Sequence, residues 1–216
     1  MTELAQTKTT ALVREKHRGH FDTQDIYPIL DATPLCHIGY VSEGRPIVTP
    51  TIHWRQGDYV YWHGSRAARS LQTNAESEVC LTVTLMDGLV LARSAFSHSM
   101  NFRSVMIFGQ AKIIDDVEEK TASLKHLVNH LYPDRWDTLR NMTRKELNAT
   151  TVLALPITEA SAKVRTGGPG DGEEDSSLPI WAGVVPITTT MGEPIPCSRM
   201  PDGVAEPDHV SHYTVG

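Results

Sequence analysis

The sequence predicts a mainly β chain with flanking helices, its strands forming an antiparallel β-barrel, closed or split. Three observations carry this. Between residues 35 and 110 apolar residues recur with period two, in runs rich in β-branched and aromatic side chains. Short clusters of Gly, Asp, Glu and Ser punctuate those runs at hairpin spacing. Only a few helices interrupt the strands, so an open sheet would leave bare edges, which closure removes.

The first element is a short helix in DTQDIYPILDA, with Asp22 as its acidic cap, Ile26, Ile29 and Leu30 on one face, and Pro28 near its start. LCHIGYV, PIVTPTIHW and DYVYWHG follow as strands, joined by turns at SEGR and RQG. A helix from about Arg66 to Asn74 comes next. EVCLTVTLMDGLVLARSAF reads as a hairpin turning at Asp87-Gly88, and NFRSVMIFGQAKIID as a long strand whose glycine marks a bulge.

DVEEKTASLKHLVNHLYPDRW opens with acids suited to a helix N-terminus and places Leu124, Leu127, Val128 and Leu131 on one face, a helix that lids the barrel. TRKELNATTVLALPI supplies a short helix and a strand, and a further strand ends at SAKVR. TGGPGDGEEDSS reads as a mobile loop before the strand PIWAGVVPI, and beyond Pro186 periodicity stops. The expected organisation is one domain over residues 1–190 and an irregular C-terminal tail over 191–216.

A chain of 216 residues buries a sizeable core, and a net charge of −6 argues against nucleic acid as a partner, because counterion release needs a clustered basic face. No run approaches transmembrane length and no signal peptide is visible. The 3 cysteines, Cys36, Cys80 and Cys197, are widely spaced, as expected of reduced thiols in a cytoplasmic protein.

The stretch His63–Asn74, HGSRAARSLQTN, concentrates the chemistry. Arg66 and Arg69 share a helical face, Ser65 stands where an N-cap would, and a helix N-terminus with guanidinium donors is suited to phosphate. A turn and a solvated helix with ordinary surface arginines would read the same way. In SAKVR, Ser161, Lys163 and Arg165 alternate onto one strand face, where two cations suit an anion and a solvated face is the plainer alternative. His126 and His130 lie one helical turn apart, a spacing that serves a metal or a plain surface. No GxSxG elbow and no cysteine in an electropositive turn supplies a nucleophile.

Together TPTIHW, YWHGSRAARS, GLVLARSAFSHSMNFRSVMIFGQA, SAKVRTG and PIWAGVVP resemble the pyridoxamine 5'-phosphate oxidase-like split barrels, in their flavin-nucleotide-binding or nitroimidazole-resistance-type branch, over residues 14 to 190. The resemblance implies FMN bound at a homodimer interface. It places Thr49, Pro50 and Thr51 along the isoalloxazine edge, where they lend backbone groups to the ring. It puts Ser65, Arg66 and Arg69 on the FMN phosphate with His63 close by, and makes Asn101, Arg103 and Ser104 donors from the opposite subunit or the pocket floor. Trp181 packs near the flavin across the dimer, and Lys163 joins the anion contacts. The implied activity is an FMN-dependent oxidoreductase acting on an unidentified small substrate, with NAD(P)H as a candidate electron donor. The alternatives are a non-catalytic flavin-storage protein and a haem-binding split barrel using His53, His63 or His98. Pyridoxamine phosphate is disfavoured as substrate because only Arg199 follows Trp181 in the tail.

Overall fold

The structure, a computed structural model, describes residues 2–211, with the side chains of Arg69, Glu76 and Ser211 outside the described atoms. In chain order the elements are β1 (Gly19–His20), α1 (Thr23–Asp31), β2 (Leu35–Ser42), β3 (Arg45–Gln56), β4 (Tyr59–Ser65), α2 (Arg69–Glu76) and β5 (Glu78–Leu91). Then come β6 (Ser99–Gln110), β7 (Lys112–Ile113), α3 (Val117–Leu131), α4 (Arg144–Ala149), β8 (Thr150–Pro156), β9 (Glu159–Arg165) and β10 (Gly183–Pro186).

All strands join one antiparallel sheet in the order β1-β9-β6-β5-β2-β3-β4-β8-β7, with β10 added to β5. The β2–β3 connection is the two-residue turn Glu43-Gly44. Both residues have positive φ, 52° and 72°, which glycine accepts freely and which matches the twist of a hairpin.

Alternation along the strands builds the core. Ile38, Leu81, Ile107 and Ala160 sit opposite one another across β2, β5, β6 and β9, and all four are buried. α1 closes this interior with Ile26, Ile29 and Leu30, while Trp62 and Leu155 enter from β4 and β8. A second cluster forms where α3 lays Leu124 and Leu127 over Trp54, Val152 and Ala154, so the expected lid helix covers the β3–β8 side of the barrel.

The split originates in β3. Residues 45–52 pair with β2, whereas β4 is paired only from His53 to Gln56. The sheet therefore forks at Ile52/His53, and β3 and the distal half of β4 diverge. His53 holds the fork from inside: its backbone N–H donates to the Pro34 carbonyl at 2.8 Å, and its ring nitrogens lie 3.1 Å and 3.0 Å from the carbonyls of Pro34 and Leu30.

Several expectations are corrected. Asp87-Gly88 is no hairpin turn: β5 runs unbroken from Glu78 to Leu91, both halves pair with β6, and the register slips at a bulge between Met86 and Gly88. The bulge thus lies in β5 rather than at the glycine of β6. α2 begins at Arg69 rather than Arg66, because Ser65 still pairs with Thr150 in β8 and the chain must turn before a helix starts. Pro28 falls inside α1 rather than near its start. The glycine-rich loop is pinned: Asp171 accepts from the backbone N–H and the guanidinium of Arg93, each at 3.0 Å. Beyond Pro186 the described tail has no strand or α-helix, and its last residues, 212–216, lie outside the described region. No described helix is long and apolar enough to cross a membrane.

Candidate functional site

The fork opens into a cleft of about 180 Å³. One wall is Thr49, Pro50 and Thr51 of β3, the other Trp62, His63 and Gly64 of β4, and α2 closes the end with Leu71 and Asn74. Gly64 makes this closure possible, since a Cβ there would lie 2.9 Å from Leu71 Cδ1. Over residues 45–52 no described strand pairs the β4-facing edge of β3, so peptide donors and acceptors border the cleft.

Two polar atoms have been buried without a partner at this place, His63 Nδ1 and Asn74 Oδ1. A buried unpaired polar atom costs free energy comparable to a lost hydrogen bond, and here both belong to lining residues of one cleft. Burial holds the His63 imidazole below its ordinary pKa, so near neutrality the ring is uncharged. The ring leans on Trp54 at 5.9 Å, and Trp54 in turn stacks on Tyr61. His53, at the fork, is likewise held down by burial, against the opposing pull of the Leu30 and Pro34 carbonyls.

The turn expected to hold phosphate adjoins the cleft. Ser65 does not cap α2, whose N-cap is Ala68; its hydroxyl accepts instead from the Ala67 N–H at 3.3 Å. Arg66 is tied by its backbone to Ala149 at 2.8 Å, and its side chain lines a neighbouring cavity of about 350 Å³ with Gln72, Asp115 and Lys120. Leu71 belongs to both cavities. Arg69 opens α2, and its side chain lies outside the described atoms.

The remaining expected residues stand elsewhere on the chain. Asn101 is buried, accepts from Arg165 and donates to the Gly167 carbonyl at 3.1 Å. Arg103 forms a two-pronged ion pair with Asp87, Ser104 donates to the Lys163 carbonyl, and the Lys163 ammonium lies 6.0 Å from the Phe102 ring centre. These β6 and β9 residues are separated from β3 in the sheet by β5 and β2. Trp181 is 66% exposed and rests against Gly183. One chain thus gathers Thr49, Pro50, Thr51 and His63 in a cleft with Ser65 and Arg66 beside it, and carries the β6 group and Trp181 elsewhere.

Sequence reasoning missed Trp62, Leu71 and Asn74 as lining residues. Helical spacing over Ala68, Leu71 and Asn74 was the available signal, since residues three apart share a face. No group of three or more His, Cys, Asp or Glu side chains among the described residues is arranged to hold a metal ion. His126 and His130 stack ring on ring, and His126 Nε2 lies 3.1 Å from the Arg55 carbonyl.

Comparison with known proteins places this geometry. The flavocytochrome Anf3 from Azotobacter vinelandii superposes with a TM-score of 0.95 at 45% identity, covering 97% of this chain and 98% of that one. The FAD and heme binding protein from Mycobacterium smegmatis gives 0.87 at 35% identity, covering 92% and 98%. A protein described as a 5-nitroimidazole antibiotic resistance protein from Bacteroides thetaiotaomicron gives 0.56 at 26% identity, covering 66% and 84%. No match was found among curated proteins. The profile of the pyridoxamine 5'-phosphate oxidase family matches residues 22–164, the segment that carries α1, the fork, the cleft and the β6–β9 sheet, and the chain belongs to that family.

Proposed function

We propose that this chain is a flavin-binding oxidoreductase that also carries haem, built as a homodimer with a flavin in each of two shared sites. The observation that carries the flavin is the cleft at the fork, where an unpaired strand edge, two orphaned polar atoms and the Ser65-Arg66 turn converge. A planar heterocycle with donors and acceptors on its rim answers the open peptide edge of 48–52, where Val48 and Ile52 offer N–H groups around the Pro50 carbonyl, and a phosphate answers Arg66. Two relatives that match over more than nine-tenths of the chain are named a flavocytochrome and an FAD and heme binding protein, which favours FAD over FMN.

A second copy is needed to complete the site. Ligand pockets usually enclose roughly 300–1,000 Å³, and this cleft holds about 180 Å³. The outer face of the β2–β3 pair next to it exposes Val41, Val48 and Leu35, an apolar surface of the kind that a partner covers. Asn101, Arg103, Ser104, Lys163 and Trp181 are then contributions of the facing subunit rather than of the chain that owns the cleft.

From the sequence alone haem and flavin are rivals; in this reading they are companions. Among the histidines named for haem, His98 fits best. Its Nδ1 lies 2.9 Å from the Ser94 carbonyl, an oxygen that can only accept, so Nδ1 carries the proton and Nε2 keeps the lone pair that a metal takes. Phe96, 97% exposed, and Met100 supply apolar surface beside it.

When bound, the flavin supplies two-electron and the haem one-electron chemistry. The chain's part is to align the ring on the β3 edge, to hold the phosphate at Arg66, and to present a neutral His63 at the cleft wall. The substrate is a small molecule, with NAD(P)H the donor to be tried first. The test is the absorption spectrum of the protein as isolated, followed by anaerobic NAD(P)H and chromatography of the released flavin. A flavin band with a Soret band, both bleaching or shifting on reduction, supports the reading. A flavin inert to every donor supports storage instead, and colourless protein that takes up neither cofactor refutes the proposal.

A further inference from the structure

At the opposite end of the sheet a cavity of about 430 Å³ opens where β1 meets β9. Its walls include His17, Arg18, His20, Arg165 and Thr166, and no lining residue is acidic. It shares no residue with the cleft at the fork.

Arg165 makes this cavity unusual within the chain. Its 7% exposure places it among the buried residues, yet among the described residues its bonded partners are all neutral oxygens: the Asn101 side-chain oxygen and the carbonyls of Gly167 at 3.4 Å and Gly168 at 3.1 Å. Such bonds satisfy N–H donors and leave the charge uncompensated, and a buried charge without a counter-charge is costly. The arginines that do form ion pairs, Arg18, Arg55, Arg93, Arg103 and Arg140, are all less buried than Arg165. The carboxylates near the cavity are already engaged. Glu15 holds Arg18 at 3.0 Å and His17 at 3.5 Å, Asp25 holds His20 at 3.2 Å, and Asp171 holds Arg93. With a net charge of −6, the chain has no general attraction for anions, so whatever neutralises Arg165 must bind locally.

We infer that this cavity is a second anion site, which takes a phosphate-class oxyanion against Arg165 and Arg18, with His17, His20 and the Thr166 hydroxyl as further donors. Guanidinium presents paired donors at the spacing of phosphate oxygens, and the surrounding basic side chains favour a dianion over a single carboxylate. The inference stands on the unpaired arginine and does not require the flavin reading.

The same phosphate chemistry could come from a flavin held by the facing subunit or from a separate phosphorylated ligand. The test is calorimetric titration of the protein as isolated with inorganic phosphate and with pyrophosphate at fixed ionic strength, together with the flavin content of each sample. Saturable uptake that weakens about tenfold or more in Arg165→Met supports the site. Arg18→Gln, which leaves the Arg165–Asn101 network intact, weakens it about threefold and keeps the test readable if the buried variant fails to fold. Loss of flavin along with Arg165→Met assigns the phosphate to the flavin, whereas unchanged flavin with lost uptake assigns it to a separate ligand. Uptake that falls in Arg66→Ala and in neither of the other variants belongs to the turn at the fork and overturns the inference. So does the absence of saturable uptake when both variants also keep their flavin.

Discussion

Across β2, β5, β6 and β9 the row Ile38, Leu81, Ile107 and Ala160 is buried from end to end, while the row one residue away, His37, Thr82, Met106 and Ser161, carries His37 and Met106 at the surface. One step along each strand exchanges the two faces. The inner row is aliphatic because burial requires it. The outer face includes Val41 and Val48, which stay exposed among the described residues, although Ser161 at its β9 end is buried. Apolar residues that the chain's own core does not use are the ones to explain by association, and this difference carries the proposal of a second copy.

Substitutions on each face separate the two demands, and the largest effect falls inside. Leu81→Ala removes a fully buried side chain, with an expected loss of about 2–5 kcal/mol in urea unfolding. Met106→Glu, on the outer face, is expected to leave monomer stability within about 0.5 kcal/mol and to abolish self-association in analytical ultracentrifugation. Equal destabilisation by both variants would break the comparison. At the fork, Arg66→Ala is expected to weaken flavin binding by about 1.5–3 kcal/mol, the value of charge-assisted bonds, read as flavin retained on gel filtration.

Thiol reactivity sharpens the same contrast at smaller scale. Burial pushes the Cys36 thiol up to about 12 on the inner face, so it is expected to stay unlabelled by an alkylating reagent until the protein unfolds, while exposed Cys197 reacts at once. The smallest effect is electrostatic. Bonds from Arg140 and Thr143 lower the Glu146 pKa to about 2. A depressed carboxylate pKa stabilises the folded form above the unfolded value and loses that contribution as pH falls through the folded one. Glu146→Gln should flatten stability against pH between about 4.5 and 2, and an unchanged acid limb would show that the pair contributes nothing.

Much of this architecture was legible in local sequence. LCHIGYV alternates as its strand does, SEGR marks the positive-φ turn, and the apolar spacing of α3 names Leu124 and Leu127 as buried. The errors share one cause, partners distant in the chain. Asp87-Gly88 has the local chemistry of a turn, yet Arg103, 16 residues away, takes the Asp87 carboxylate and β6 keeps both halves extended. The glycine-rich loop reads as mobile until Asp171 meets Arg93, 78 residues away. The fork was illegible for the same reason, since it exists only because β3 changes neighbours at His53. Thr49, Pro50, Thr51 and His63, singled out by resemblance, line one cleft, whereas Leu71 and Asn74 depended on where α2 starts, which pairing of Ser65 with Thr150 decides.

The unpaired margin of β3 has a consequence for how this site tolerates change. Peptide groups are the same whatever side chains they bear, so recognition through 49–51 persists when Thr49 or Thr51 is exchanged for another β-branched residue. What it would not survive is the loss of the backbone N–H itself. Position 50 already lacks one, since it is proline. Alternate peptides of a strand face opposite edges, and the His53 N–H already bonds on the β2 side, so Thr49 and Thr51 turn theirs to β2 as well. A guest at this margin therefore meets the Pro50 carbonyl and takes amide hydrogens from Val48 and Ile52, and a second proline at 48 or 52 would remove one of them.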